Sequence, residues 1–194
     1  MAESLGEHTF ARQLAALRAE PADDAEQVTQ ALAGEPLRVL EERPGWVRVE
    51  TAYAYPGWVR REDLGGGRDD GWLRPVADDP VEHARTLLGT PYEWGGMTPA
   101  GIDCSGLVHM AYRRLGRLVP RDADQQEEAG REVDEPRPGD LVTYGEPGGA
   151  ADHVAFWLGG GRILHATGRG HGLGVVEEDE PEQLRARRRK LVRL

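Results

Sequence analysis

Cys104 is the only cysteine among 194 residues, and its neighbours decide what it can do. A lone cysteine cannot build an internal disulfide framework or an all-cysteine zinc site. It is either an inert small hydrophobe in a core or a nucleophile. The run Asp103-Cys104-Ser105-Gly106-Leu107-Val108 places it immediately before a helix read from Ser105 to Leu115. Leu107, Val108, Ala111, Tyr112 and Leu115 share one face of that helix and Gly116 stops it. A helix N-terminus carries unpaired backbone N–H groups and about half a positive charge. Both favour thiolate over thiol, and the same N–H groups can face an oxyanion developing on an attacked carbonyl. Gly95, Gly96, Gly101 and Gly106 leave room for a substrate backbone to come close. A purely structural cysteine gains nothing from such a position.

A thiol nucleophile needs a base within hydrogen-bond reach and a polar group that orients the base. The sequence offers six histidines. His8 and His83 read as surface residues, and His171 lies in a glycine-rich loop. His109 follows Cys104 by five positions, about 140° around a helix, and points away. His153 and His165 belong to two apolar, strand-like runs, Asp152–Leu158 and Arg162–Ala166, joined by Gly159-Gly160-Gly161. A three-residue loop pairs Leu158 with Arg162, sets His165 opposite Ala155 and puts both imidazoles on one face. Their backbones are then roughly 7–8 Å apart, within side-chain reach. A loop one residue longer or shorter would separate them. Two half-buried strand histidines without a role are the alternative, as is a Cys-His-His zinc site with an open fourth position. That site would leave the helix-terminal placement of Cys104 unused, and no metal or other cofactor is expected.

The elements that must carry these residues change character along the chain. Up to Val59, short apolar runs alternate with turn signals: Leu37–Leu40, Pro44-Gly45, Trp46–Val49, Pro56-Gly57, Trp58-Val59. Such spacing suggests a small barrel. Phe10–Glu20 fits either a helical stripe or a strand. Gly65–Gly71 is too charged and glycine-rich for a core and reads as a linker. Beyond it, Asp79-Pro80 starts a capped helix that Gly89 ends, the cysteine helix follows, and the strand-like runs Asp140–Tyr144, Val154–Leu158, Ile163–Ala166 and Leu191–Leu194 come last. Helices followed by strands indicate an α+β layer, with domains expected at 1–72 and 73–194. The formal net charge of −10 argues against nucleic acid as a partner. The basic run Arg185–Lys190 beside the acidic run Glu177–Glu182 reads as a solvated or self-paired surface. No stretch approaches the ~18 apolar residues of a membrane helix. The first twenty residues carry Glu3 and Glu7 and no continuous apolar core, unlike a secretory signal, so a cytoplasmic protein is expected.

From about Val81 to Leu194 the chain resembles the NlpC-type cell-wall endopeptidases, which have a papain-like core. The resemblance runs through Gly89-Thr90-Pro91-Tyr92-Glu93-Trp94-Gly95-Gly96, Asp103–Val108, Pro120-Arg121-Asp122 to Gln125, Arg137–Val142, and His153-Val154 to His165-Ala166. Several motifs in one order make it specific. The N-terminal part resembles the bacterial SH3-like domains that precede such cores, at Val28–Leu32 and Gly57-Trp58-Val59. The resemblance implies a papain-like peptidase core behind a small SH3-like β-barrel, with Cys104 as nucleophile, His153 as base and His165 orienting it. It implies that Tyr92 helps to hold the oxyanion, that Asp103 and Ser105 bind the peptide's free amine and D-glutamyl carboxylate, and that Arg121 lies near the substrate. Ala155 stands where a glycine is usual, and Asp124 where a small polar residue is common.

Relatives with this arrangement cleave between γ-linked D-glutamate and a diamino acid, often requiring a free N-terminal L-alanine because the first domain closes the groove. A cytoplasmic member would act on recycled murein peptides, so a short stem peptide is the expected partner, without membrane or nucleic acid. Two other readings are an amidase or acyltransferase on the same core and a non-catalytic binder of wall fragments.

Overall fold

The computed structural model describes residues 5–65, 67–69, 71–168 and 173–194. The chain divides into two compact units, with the boundary between Arg74 and Pro75.

The first unit is built from β1 (His8–Phe10), β2 (Ala15–Arg18), β3 (Gln27–Ala31), β4 (Pro36–Arg43), β5 (Trp46–Thr51) and β6 (Pro56–Arg60). They form an antiparallel sheet in the order β1-β4-β5-β6-β2-β3. Phe10–Glu20 therefore resolves into strands. Ala15 and Leu17 are buried while Ala16 and Arg18 are half-buried, the period-two alternation of a strand with one covered face. Leu17, Leu37, Val47, Val49 and Val59 close the core. Two guanidinium groups lie over indole rings, Arg60 over Trp46 at 4.4 Å and Arg43 over Trp58 at 4.6 Å.

The second unit begins with α1 (Pro80–Arg85). Asp79 caps it by accepting the Glu82 N–H at 2.9 Å, with proline at the first helical position as the sequence predicts. A short ribbon, β7 (Met97–Thr98) with β8 (Gly101–Ile102), leads into α2 (Cys104–Arg113). Then come α3 (Ala123–Ala129), β9 (Arg131–Glu132), β10 (Leu141–Tyr144), β11 (His153–Gly159), β12 (Arg162–Thr167), β13 (Gly174–Asp179), α4 (Glu182–Arg185) and β14 (Arg188–Arg193). The antiparallel sheet runs β13-β12-β11-β10-β14-β9, and α2 packs across β11 and β12. Every residue of α2 is buried, and the ring of Tyr112 meets Phe156 of β11 at 6.4 Å between centroids. This is the α+β layering expected from helices followed by strands.

The basic run near the C-terminus folds back onto carboxylates of its own unit. Arg185 and Arg188 reach Glu180, Arg189 reaches Glu127 at 3.0 Å, and Arg193 grips both oxygens of Asp140 at 2.6 and 2.7 Å. Among the described residues, no helix is long and apolar enough to cross a membrane.

Candidate active site

Cys104 is the first residue of α2 itself, one position further in than the sequence reading places it. Asp103 is the N-cap, and its Oδ1 accepts the Gly106 N–H at 2.6 Å. The helix start is held hard against the loop before β7. A Cβ on Gly106 would lie 2.4 Å from the Gly96 carbonyl oxygen, so only glycine permits this approach.

The backbone N–H groups of Ser105 and of Val154, the residue after His153, face the Cys104 sulfur and favour its anion. The start of α2 and the start of β11 therefore meet at the sulfur. The side chain is 5% exposed. Burial, followed by the neighbouring Asp103 carboxylate, pushes the thiol pKa up to about 12 against the pull of those N–H groups and of Arg121. The helix terminus does not by itself produce a thiolate, contrary to the sequence expectation. Desolvation of the anion outweighs two N–H groups and a partial charge. The sulfur is protonated at neutral pH, so a base must take its proton as it attacks.

His153 and His165 are brought together across the β11–β12 hairpin, with Nε2 of His153 and Nδ1 of His165 2.7 Å apart and the rings nearly perpendicular. Phe156 pairs with Leu164 and Trp157 with Ile163, the register read from the sequence. Next to the turn a bulge pairs Gly159, rather than Leu158, with Arg162. Gly159, Gly160 and Gly161 all take positive φ, at 88°, 61° and 82°, which glycine tolerates at no steric cost. The bulge is confined to the turn and leaves the histidine face unchanged.

His165 is 1% exposed, and burial lowers its pKa against the opposing effect of Glu178, whose Oε1 lies 3.0 Å from Nε2. Glu178, on β13, is the member of this cluster that sequence reasoning misses. Gly174–Asp179 has two apolar residues and reads as acidic surface; alternation from Val176 to Glu178 was its only signal. His109 lies inside α2's packing, its Nδ1–H donating to the Val119 carbonyl at 2.8 Å. Burial, with Arg121 and Arg113, lowers its pKa to about 3, so it stays neutral. His8 is exposed, His83 is half-buried, and His171 lies outside the described residues.

Asp103, Ser105 and Arg121 form one buried cluster. Arg121, 1% exposed, donates to both carboxylate oxygens of Asp103 at 2.9 and 2.7 Å and to Ser105 Oγ at 2.9 Å. The Gly95 N–H donates to Asp103 Oδ2 at 2.8 Å. The resemblance assigns these side chains to the substrate, but here they bind one another and position the helix start. A substrate amine would have to compete with Arg121 for Asp103. Tyr92 is half-buried, bridges in parallel to Ile102 two residues before Cys104, and packs its ring on Gly168.

A thiol at a helix start that meets the strand of a half-buried imidazole, itself paired with a buried one, suits nucleophilic attack on a carbonyl with general-base assistance. Among the described residues no cluster of histidine, cysteine and carboxylate side chains has the geometry to hold a metal ion.

Comparison with known proteins places this geometry. The NlpC/P60 family model matches residues 89–187, just over half the chain, and the model of the bacterial dipeptidyl-peptidase Sh3 domain matches residues 17–64. A gamma-D-glutamyl-L-lysine dipeptidyl-peptidase of Bacillus subtilis is 32% identical over 144 residues, covering 72% of this chain and 47% of that protein. The peptidoglycan endopeptidase RipB of Mycobacterium tuberculosis is 37% identical over 110 residues, covering 49% of this chain and 45% of that protein. The chain spans about half the length of the curated relatives it matches. The crystal structure of an NlpC/P60 family protein from Bacillus cereus superposes with a TM-score of 0.56 at 25% identity, covering 96% of this chain and 63% of the other. With the cysteine helix and the histidine hairpin joined in this fold, the chain belongs to the NlpC/P60 family, its papain-like core preceded by a bacterial SH3-like unit.

Proposed function

We propose that this chain is a cysteine endopeptidase that hydrolyses the bond between γ-linked D-glutamate and a diamino acid in cell-wall stem peptides. Its substrates on this reading are short recycled peptides with a free N-terminal L-alanine, met in the cytoplasm. One observation carries the chemistry. The Cys104 sulfur faces the N–H next to His153, and His153 sits 2.7 Å from a second, buried imidazole. The bond cleaved is inferred from the relatives named as gamma-D-glutamyl-L-lysine dipeptidyl-peptidases.

The steps follow from the protonation states. His153 takes the thiol proton as sulfur attacks the γ-carbonyl carbon of D-glutamate. The carbonyl oxygen becomes an oxyanion near the start of α2, where backbone N–H groups can stabilise it, with the Tyr92 hydroxyl as the further donor that the family resemblance implies. The imidazolium of His153 then protonates the leaving amine of the diamino acid, and a thioester remains on Cys104. Water, deprotonated by His153, releases the L-Ala-D-Glu acid and restores the thiol. His165 orients the base throughout.

Parallel incubation with intact sacculi and with L-Ala-γ-D-Glu-diaminopimelate, with products identified by mass, tests this reading. The expected products are L-Ala-D-Glu and free diaminopimelate, formed from the free peptide in preference to sacculi. No cleavage of the tripeptide overturns the assignment, and faster release from sacculi overturns the short-peptide part. Transfer of the acyl group to an added amine would instead mark an acyltransferase. Cell fractionation tests the location.

A further inference from the structure

We propose that Glu178 is a positioning residue whose carboxylate fixes the proton on both imidazoles of the His153–His165 pair, leaving His153 with an unprotonated Nδ1 as its base. The inference deepens the proposed function and rests on its reading of His153 as the base.

A carboxylate only accepts hydrogen bonds. At 3.0 Å from Glu178 Oε1, His165 Nε2 must therefore carry a proton. His165 is buried and its pKa is lowered, so the ring is neutral and holds that one proton. Its Nδ1 is then a lone-pair acceptor, and the 2.7 Å contact needs a donor from the other side. His153 Nε2 has to supply it. A neutral His153 with its proton on Nε2 has Nδ1 unprotonated, and only that nitrogen can take a proton from a thiol. The reversed arrangement would point a lone pair of His165 Nε2 at a carboxylate oxygen, which is repulsive.

The strand register makes the contact systematic. His165 pairs with Val176 across β12 and β13, and Glu178 is two residues along on the same face. When His153 accepts the thiol proton, positive charge appears one imidazole away from Glu178, and the carboxylate stabilises it through the shared hydrogen bonds. Among the described residues, Tyr144 of β10 also faces the pair, its ring 5.7 Å from that of His153, and the Cys104 sulfur of α2 faces the N–H that follows His153. Burial pushes both pKa values up, so both are neutral at pH 7. Glu178 is the carboxylate hydrogen-bonded to this relay, and its side chain is 41% exposed, so substitution leaves the core packing in place.

The test is nitrogen-15 NMR of the histidine ring nitrogens of the full chain, for wild type, E178A and E178Q, with the pH profile of kcat/KM. Wild type is expected to show His153 protonated at Nε2. E178A is expected to show a mixture of tautomers, with kcat lowered about 10-fold or more and KM little changed. E178Q keeps an acceptor oxygen, so the tautomer is retained and kcat is partly rescued. In both variants the acid limb of kcat/KM moves to lower pH, because the imidazolium has lost its counter-charge. A merely structural role would move neither the tautomer nor the limb. If E178A leaves either at its wild-type value, the proposal is overturned. An inactive wild type would sink the functional reading, while the NMR arm would still decide the role of Glu178.

Discussion

Cys104→Ala is expected to lower turnover of L-Ala-γ-D-Glu-diaminopimelate by about 10⁴-fold or more, the scale on which removal of a nucleophile acts. The reason is local. Cys104 supplies the only sulfur able to attack, and without it the thioester cannot form. The fold should survive, because alanine removes one buried atom from the first turn of α2 and leaves the Asp103 cap in place. The cost in stability is about 1 kcal/mol. Steady-state kinetics beside thermal unfolding separates the two effects. Turnover within tenfold of wild type would reject the mechanism.

The second large effect is on stability. Arg121→Met keeps the volume and hydrophobic stem of the side chain but removes the charge from a pair in which arginine is 1% and aspartate 7% exposed at the side chain. Asp103 would remain buried with the N–H groups of Gly95 and Gly106 and the Ser105 hydroxyl, and no cation. Breaking a buried pair from one side costs about 3–5 kcal/mol, because an uncompensated charge is left behind. Chemical denaturation measures the loss. The double variant D103N/R121M should recover much of it, since asparagine still caps the helix and carries no charge. A loss below about 1 kcal/mol for R121M would mean that the pair behaves like a solvated one. Because Asp103 opposes the thiolate and Arg121 favours it, R121M should also leave Cys104 less readily deprotonated.

What the sequence discloses about this site follows from which interactions are local. The cysteine helix is legible because cap, apolar face and stopping glycine lie within fourteen consecutive residues, Asp103 to Gly116. The histidine pairing is legible because a glycine run between two apolar segments fixes the register, and register fixes the face. The bulge at Gly159 is not legible, since its energy lies in turn geometry that Gly159-Gly160-Gly161 permits in more than one form. Phe10–Glu20 is too short for its spacing to separate a helix from two strands; sheet pairing decides it. Glu178 stays hidden for a different reason. β13 is the last strand of its sheet, and Val176–Glu178 are only half-buried, so this stretch needs little hydrophobicity. Arg121 lies eighteen positions from Asp103, and nothing in that separation shows that the two will neutralise each other. Burial explains the remaining mismatch: a helix N-terminus suggests a low thiol pKa, while the desolvation that reverses it is a tertiary property.

The most direct measurement is the rate at which a vinyl sulfone analogue of L-Ala-γ-D-Glu adds covalently to Cys104, in wild type and in His153→Ala, followed by intact mass and peptide mapping. The expected result is a single addition at Cys104, competed by the natural tripeptide and slowed about 100-fold or more without the imidazole, within the range of a general base. Addition at the same rate in both proteins, or none at Cys104 in wild type, would contradict the pairing of this thiol with His153.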